Sequence, residues 1–250
     1  MILPVILFTG VKLHAQEDPE VNIHEHLGDT IPKGIVFRDE SGRPVEFKSL
    51  IHLPTILVLI YYDCPGICPT ILGSVSDVIE RMDYELGKDY QIITISFDSR
   101  EGSELAGKKR ENYLKKIRNA GDSTGWIFLT GDSLNIQRIT QSAGFGFKLV
   151  GTEYMHEGAL IFLSPEGKIT RYLKGISFLP FEFKLAVIEA SQGKSGATVG
   201  KVIQFCFSYD PGSQHYVMDI TKVSAIVILF FALVLLAYLL IKSRKKNITH

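Results

Sequence analysis

The sequence predicts an α/β fold in which a sheet is covered on both faces. Three continuous apolar runs, "ILVLIYY", "IITISF" and "ALIFL", have the composition of strands buried in the middle of a sheet. Between the first two runs, apolar residues from Ile71 to Leu86 recur at helical spacing, which predicts a strand, a helix and a second strand in succession.

The remaining elements extend this alternation along the chain. The segment "GIVFRDESGRPVEF" predicts an N-terminal hairpin that turns between Asp39 and Arg43. A charged helix is predicted over roughly 103–119, then a strand "WIFLTGD", then a helix with Asp132 as its N-cap that ends near Gly144. The segment "GALIFLSPEGKITRYLKG" predicts a second hairpin, and "LPFEFKLAVIEAS" predicts the last helix.

Length and charge limit the classes of function. The chain has 250 residues, 46% of them hydrophobic, which is enough for one well-buried domain and an appendage. Its 27 basic and 27 acidic residues leave no net charge that would attract nucleic acid. A role in binding polyanions is therefore disfavoured.

Both ends of the chain predict an association with the cell membrane. A short apolar stretch followed by Ala15 predicts a signal peptide over residues 1–15. Residues 223–241 carry no charge and match the ~20 residues that a transmembrane helix needs. The basic residues of 242–250 predict a cytoplasmic tail, which leaves the domain of this single-pass protein on the periplasmic side. Residues 192–222 are expected to form a linker or extension.

The segment "YYDCPGICPT" places Cys64 and Cys68 where a buried strand ends and a helix begins. Because Pro69 suits the first helical position, Cys68 is expected to be the N-cap, with its thiolate stabilised by the positive end of the helix. A structural disulfide is the alternative, but it would close a very short loop and so stabilise the fold little. A redox pair or part of a metal site is favoured.

Two thiolates hold a soft ion poorly, so a third ligand is expected from elsewhere in the fold. Thiolates and imidazole together suit copper or zinc. Of the seven histidines, His156 directly precedes a predicted strand, and His24 and His26 could form an accessory site. A lone histidine is more often structural than a ligand, so spacing alone does not decide whether His156 binds a metal.

The order of "GIVFRDESGRPVEFKSL", "ILVLIYYDCPGICPTILGSV", "IITISFDSREG", "FLTGD" and "YMHEGALIFLSPEGKI" resembles the Sco/SenC family. This is a family of copper-binding, thioredoxin-like proteins that help to assemble cytochrome c oxidase. The resemblance covers roughly residues 30 to 190. It implies a thioredoxin-like domain over 30–191, with an N-terminal β-hairpin and an inserted strand-helix unit, ahead of the predicted transmembrane helix. It also implies one copper ion per chain, as Cu(I) or Cu(II), with Cys64, Cys68 and His156 as its ligands.

The resemblance further implies a copper metallochaperone. Such a protein would take copper from an upstream donor and deliver it to the binuclear copper site of cytochrome c oxidase subunit II, or of a related copper oxidase, or prepare the thiols of that site. The alternative is a membrane-anchored thiol-disulfide reductase, in which Cys64 attacks and Cys68 resolves without metal. A peroxide-reducing enzyme is least favoured because no arginine lies near the cysteines, and an adaptor with a structural disulfide is the simplest alternative.

Two features depart from the family pattern. Met155 stands where the family commonly has an aspartate before its histidine, so Glu157 or Glu153 is expected to orient the imidazole ring instead. The predicted membrane span is C-terminal, whereas the family is usually anchored by an N-terminal helix. Cys206 lies in the 201–222 extension and is most simply a buried apolar residue.

Overall fold

A computed structural model gives the structure of this protein. The residues that it describes are 21–118, 121–195, 207–210 and 215–218, together with Ser224, Ile228 and Phe231. The chain divides into two compact units between Ser195 and Gly196, and each unit is described by itself.

The first unit contains an alternation of strands and helices. In chain order its elements are β1 (Val36–Arg38), β2 (Pro44–Glu46), α1 (Phe47–Leu50), β3 (Thr55–Ile60), α2 (Ile67–Arg81), β4 (Gln91–Ser96), α3 (Ser103–Leu114), β5 (Trp126–Leu129), α4 (Ser133–Ser142), β6 (Phe147–Val150), β7 (Glu153–His156), β8 (Ala159–Leu163), β9 (Ile169–Lys174) and α5 (Pro180–Ser191).

A five-stranded mixed sheet forms the centre of this unit, in the order β5-β4-β3-β8-β9. Strands β3, β4 and β5 run parallel, and β8 and β9 are antiparallel to their neighbours. All six residues of β3 and all six of β4 are buried. Because successive side chains of a strand point to opposite faces, both faces of the sheet are covered, as the continuous apolar runs predict.

The helices follow the predicted apolar spacing, with differences at their ends. Helix α2 ends at Arg81, although the apolar pattern continues to Leu86. Leu86 is buried from a turn after the helix, so a core residue there matches the helical period without belonging to the helix. Helix α4 begins as predicted, because the Asp132 side chain accepts a hydrogen bond from the Asn135 N–H at 2.8 Å.

The hairpin of β6 and β7 is absent from the sequence prediction. Among the residues that the structure describes, the two strands pair only with each other, with Phe147 opposite His156. The Phe147 and Tyr154 rings pack against Phe97, with centroid distances of 4.6 and 5.5 Å. This packing places His156, the last residue of β7, beside the C-terminal ends of β3 and β4.

The described part of the second unit contains an antiparallel pair of strands, β10 (Phe207–Asp210) and β11 (His215–Met218). None of the helices formed by the described residues has the length and apolar character of a membrane span. Apart from Ser224, Ile228 and Phe231, the predicted span over 223–241 lies outside the described residues. Three further predictions lie outside them as well, namely the signal peptide over 1–15, the tail over 242–250 and the environment of Cys206.

Candidate metal centre

Cys64 lies in the loop that connects the end of β3 to the start of α2. The Gly66 N–H donates a hydrogen bond to Cys64 Sγ at 3.3 Å. Gly66 is the N-cap of α2, so Cys68 is the second residue of the helix and Pro69 the third. The prediction that Cys68 caps the helix is therefore wrong by two residues. A proline is tolerated at the third position because the first N–H groups of a helix have no intrahelical partner.

Cys68 is a buried thiol. Its side chain sits in the first turn of α2 with a relative exposure of only 2%. This burial, reinforced by the contact with Cys64, raises the pKa of Cys68 above that of an ordinary cysteine. The expectation that the helix end would stabilise a Cys68 thiolate is therefore wrong, because loss of solvation outweighs the backbone hydrogen bonds that lower the pKa of this thiol. Both Cys64 and Cys68 are free thiols in this structure.

His156 presents one ring nitrogen to the cysteines. Its Nδ1 lies 2.9 Å from the carbonyl oxygen of Glu157, and a carbonyl oxygen can only accept a hydrogen bond. The proton of the neutral ring is therefore on Nδ1, and the Nε2 lone pair can accept a hydrogen bond from the Cys68 thiol, whose Sγ lies 3.4 Å away. Burial lowers the pKa of His156, which favours the neutral ring that a metal requires.

A backbone carbonyl therefore orients the ring, whereas a glutamate side chain was expected to do so. The carboxylate of Glu157 is used elsewhere, since its Oε2 accepts a hydrogen bond from the Ile23 N–H at 3.1 Å. Glu153 and Met155 are exposed residues of β7, and Met155 has a relative exposure of 53%. The ring of His156 is thus oriented by the backbone of the residue that follows it, with Met155 in place of an aspartate before it.

The structure brings together the three residues that the resemblance names as ligands. The two sulfurs and an imidazole nitrogen of Cys64, Cys68 and His156 all lie within 4.8 Å of one another. Cys64 and His156 line a cavity of about 360 Å³. His26 is engaged elsewhere, with its Nδ1 3.1 Å from the carbonyl oxygen of Ser142.

This donor set fits a soft metal ion. Two thiolates favour Cu(I), and an imidazole also supports Cu(II) or zinc. With three protein ligands, a bound ion would keep a coordination position for a ligand from another molecule. An ion held in this way can exchange ligands with another molecule.

Aromatic rings pack around His156. The rings of Tyr61, Phe97 and Phe145 have centroids 6.2, 5.0 and 5.8 Å from that of the imidazole. Burial and a hydrogen bond with Cys64 raise the pKa of Tyr61, so its hydroxyl stays protonated beside the sulfur. These aromatic residues were not predicted from the sequence. For Tyr61 and Phe97 a signal is present, because each directly follows one of the parallel strands β3 and β4, and such strands end at the same edge of a sheet.

An α/β domain that places two thiols and an imidazole at a strand-to-helix junction defines a class of thiol- and metal-handling proteins. The chain belongs to the SCO1/SenC family, because the model of that family matches residues 30–180, more than half of its 250 residues.

Individual relatives agree with this assignment. A candidate copper-binding protein from Stutzerimonas stutzeri is 25% identical over 142 residues, which cover 54% of this chain and 65% of that relative, slightly less than two thirds of its length. A crystal structure of a candidate electron transfer protein from Aquifex aeolicus VF5 has 28% identity and a TM-score of 0.61, covering 69% of this chain and 97% of that one.

The structure of BsSco, which is described as a member of the Sco family of cytochrome c oxidase assembly proteins, shares the fold. Its TM-score is 0.54 with 22% identity, over 68% of this chain and 97% of that one. The expected thioredoxin-like fold is thereby confirmed.

Proposed function

We propose that this protein is a copper metallochaperone that binds one copper ion through Cys64, Cys68 and His156. It delivers this ion to the binuclear copper site of cytochrome c oxidase subunit II or of a related copper oxidase, or prepares the thiols of that site. The observation that carries the proposal is the convergence of two sulfurs and an imidazole nitrogen within 4.8 Å of one another.

The arrangement suits a carrier of copper in three respects. The hydrogen bond from His156 Nδ1 to the Glu157 carbonyl leaves Nε2 free to bind the ion. The sulfurs suit Cu(I), and the imidazole allows Cu(II) to be held as well. The cavity leaves one side of the ion open to the ligands of a partner. The names of the Stutzerimonas and BsSco relatives, which mention copper binding and oxidase assembly, support the same function.

Metal content tests this proposal directly. The full-length protein, purified in detergent and reduced, is given Cu(I) or Cu(II) in the presence of equimolar zinc, desalted and analysed for metals. We expect about one copper per chain, as one site with two cysteines and a histidine requires. Cys64→Ser and Cys68→Ser should lose the copper, whereas Cys206→Ser, a matched change of the third cysteine, should keep it. Wild-type protein that emerges without copper, or with zinc instead, would refute the proposal.

Thiol-disulfide reduction is a second candidate activity, and the unequal environments of the two cysteines favour it. Cys64 lines the cavity, whereas Cys68 lies behind it with a raised pKa. In this reaction the Cys64 thiolate attacks a substrate disulfide and releases one substrate thiol. Cys68 then attacks the mixed disulfide, which frees the second substrate thiol and leaves a Cys64–Cys68 disulfide. A copper-free protein that reduces a disulfide stoichiometrically, with Cys68→Ser trapped as the mixed disulfide, would support this role.

We also propose that residues 223–241 anchor the protein in the cell membrane, with the α/β domain on the periplasmic side. This proposal rests on the uncharged 19-residue segment and on the four basic residues that follow it in "KSRKKNITH". Protease added to intact spheroplasts should then digest the α/β domain. Digestion only after lysis would contradict the proposed topology. Recovery of the chain in the soluble fraction would contradict the membrane anchor.

A further inference from the structure

Glu101 connects the two strands that end at the metal centre. It lies in the turn after β4, and its carboxylate reaches the loop that leaves the neighbouring strand β3. Its Oε2 accepts a hydrogen bond from the Tyr62 N–H and its Oε1 accepts one from the Asp63 N–H, each at 2.7 Å. Tyr62 and Asp63 are the two residues directly before Cys64, so one side chain fixes the backbone from which Cys64 projects.

The Glu101 side chain is itself held in place. The hydroxyl of Ser96, the last residue of β4, donates a hydrogen bond to Glu101 Oε2 and accepts one from the Asp98 N–H at 3.1 Å. Arg100 is engaged by Asp98 through contacts of 2.6 to 3.0 Å. The carboxylate of Glu101 is therefore oriented by Ser96 at the end of β4.

The start of the Cys64 loop is also held by the Tyr62 side chain, whose hydroxyl lies 3.1 and 2.7 Å from the carbonyl oxygens of Thr94 and Leu129, but the N–H groups of Tyr62 and Asp63 are held by Glu101. Six residues separate the end of β3 at Ile60 from the start of α2 at Ile67, and Cys64 lies in the middle of them. Within this part of the loop, Cys64 Sγ itself accepts the Gly66 N–H. A sulfur that must meet Cys68 and His156 at bonding distance depends on the path of the backbone before it, because outer contacts of this kind keep metal ligands in place.

We propose that Glu101 is the positioning residue of the metal centre. By accepting hydrogen bonds from two consecutive backbone N–H groups, Glu101 keeps Cys64 close to Cys68 and His156. This inference rests on the proposed copper-binding function. Loss of the bridge should weaken Cu(II) binding more than Cu(I) binding. Cu(I) accepts two sulfurs in a flexible arrangement, whereas Cu(II) needs the sulfurs and the imidazole in a fixed one.

Glu101→Gln tests the bridge at constant side-chain size. A carboxylate offers an acceptor to each N–H, whereas an amide offers one carbonyl oxygen and turns its own N–H donors toward the other group. We expect Cu(II) affinity, measured by competition with a chelator, to fall by roughly 10- to 100-fold, the usual effect of losing an outer contact of a metal site. The thiolate-to-Cu(II) absorption band should change at the same time. Glu101→Asp, which keeps the charge but shortens the reach, should give the same direction of change.

Glu104→Gln is the matched control. It removes the same charge three residues away, from an exposed carboxylate that pairs with Lys108 on α3. Copper binding should not change in this variant. Fluorescence of Trp126, the only tryptophan of the chain, verifies that each variant is folded. If Glu104→Gln weakened copper binding as much as Glu101→Gln does, the loss of charge alone would explain the effect, and the inference would be overturned.

Hydrogen exchange supplies a readout that does not involve copper. In the metal-free full-length protein the Tyr62 and Asp63 amides should be protected, and in Glu101→Gln at least one of them should exchange about tenfold faster or more. Unprotected amides in the wild type, or unchanged Cu(II) binding in a folded Glu101→Gln, would refute the positioning role while the copper-binding function stands. If the wild type binds no copper but the amides respond as expected, the proposed function fails and the bridge remains a feature of the thiol loop.

Discussion

Gly144 allows the N-terminal segment to pack beside the metal centre, and replacing it should destabilise the first unit. Its φ of 58° lies in the left-handed region, and a Cβ built on it would be 1.7 Å from the carbonyl oxygen of His24. Gly144 also accepts a hydrogen bond from the His24 N–H at 2.8 Å. The N-terminal segment that contacts Gly144 also includes Ile23. The Ile23 N–H donates a hydrogen bond to the carboxylate of Glu157, the residue after His156.

Gly151 provides a matched control because its φ is 65° and a Cβ there would meet no atom within 4 Å. Each change to alanine costs about 1 kcal/mol for the left-handed conformation. Gly144→Ala must in addition displace the N-terminal segment and break its hydrogen bonds to Gly144 and Gly146, at about 1 kcal/mol each. We therefore expect Gly144→Ala to lower the free energy of unfolding by about 2 kcal/mol more than Gly151→Ala.

The fluorescence of Trp126 reports this difference without interference from the second unit. Trp126 is the only tryptophan of the chain and is fully buried in the first unit, so its thermal transition follows that unit alone. A difference of about 2 kcal/mol corresponds to a Tm difference of roughly 4 to 8 °C in a domain of this size. Equal Tm values for Gly144→Ala and Gly151→Ala would show that the N-terminal segment does not pack on Gly144.

Two further predictions concern the thiols. Tyr61→Phe removes the hydroxyl that contacts Cys64, so copper should be retained while the thiolate-to-Cu(II) band shifts, and an identical spectrum would contradict the contact. In Cys64→Ser, alkylation of Cys68 at pH 7.5 should be at least about tenfold slower than in the unfolded chain, because burial raises the pKa of Cys68. Its rate should climb about tenfold per pH unit below that pKa, and a pH-independent rate would show a stable thiolate.

The central sheet could be predicted from the sequence because burial on both faces leaves a direct record in composition. The runs of β3 and β4 are apolar at almost every position, and all twelve of their residues are buried. The N-cap at Asp132 could also be predicted from the sequence, because it depends on contacts within three residues. The position of the two cysteines at a strand-to-helix junction was also predicted correctly, because the apolar run before them and the helical spacing after them are local patterns.

The structural setting of His156 could not be predicted from local patterns. Strands β6 and β7 have four residues each and, within the described part of the chain, pair only with each other, so their position depends on packing against Phe97, far away in the chain. The carbonyl of Glu157 that orients the imidazole is a backbone group, and because every residue has one, the sequence does not indicate it. The bridge from Glu101 to the Cys64 loop joins residues 38 and 39 positions apart and follows only from the parallel pairing of β3 and β4.

Copper binding by His156→Ala tests the central claim most directly, because it asks whether the imidazole completes the site. His52→Ala is the matched control, since His52 is an exposed histidine whose Nδ1 contacts the nearby Leu50 carbonyl at 2.8 Å. Loss of the imidazole leaves two thiolates, which can hold Cu(I) in a linear geometry but support Cu(II) poorly. We predict that His156→Ala retains Cu(I) but loses Cu(II) and its thiolate charge-transfer band, while His52→Ala matches the wild type. An unchanged Cu(II) spectrum in a folded His156→Ala would contradict the account.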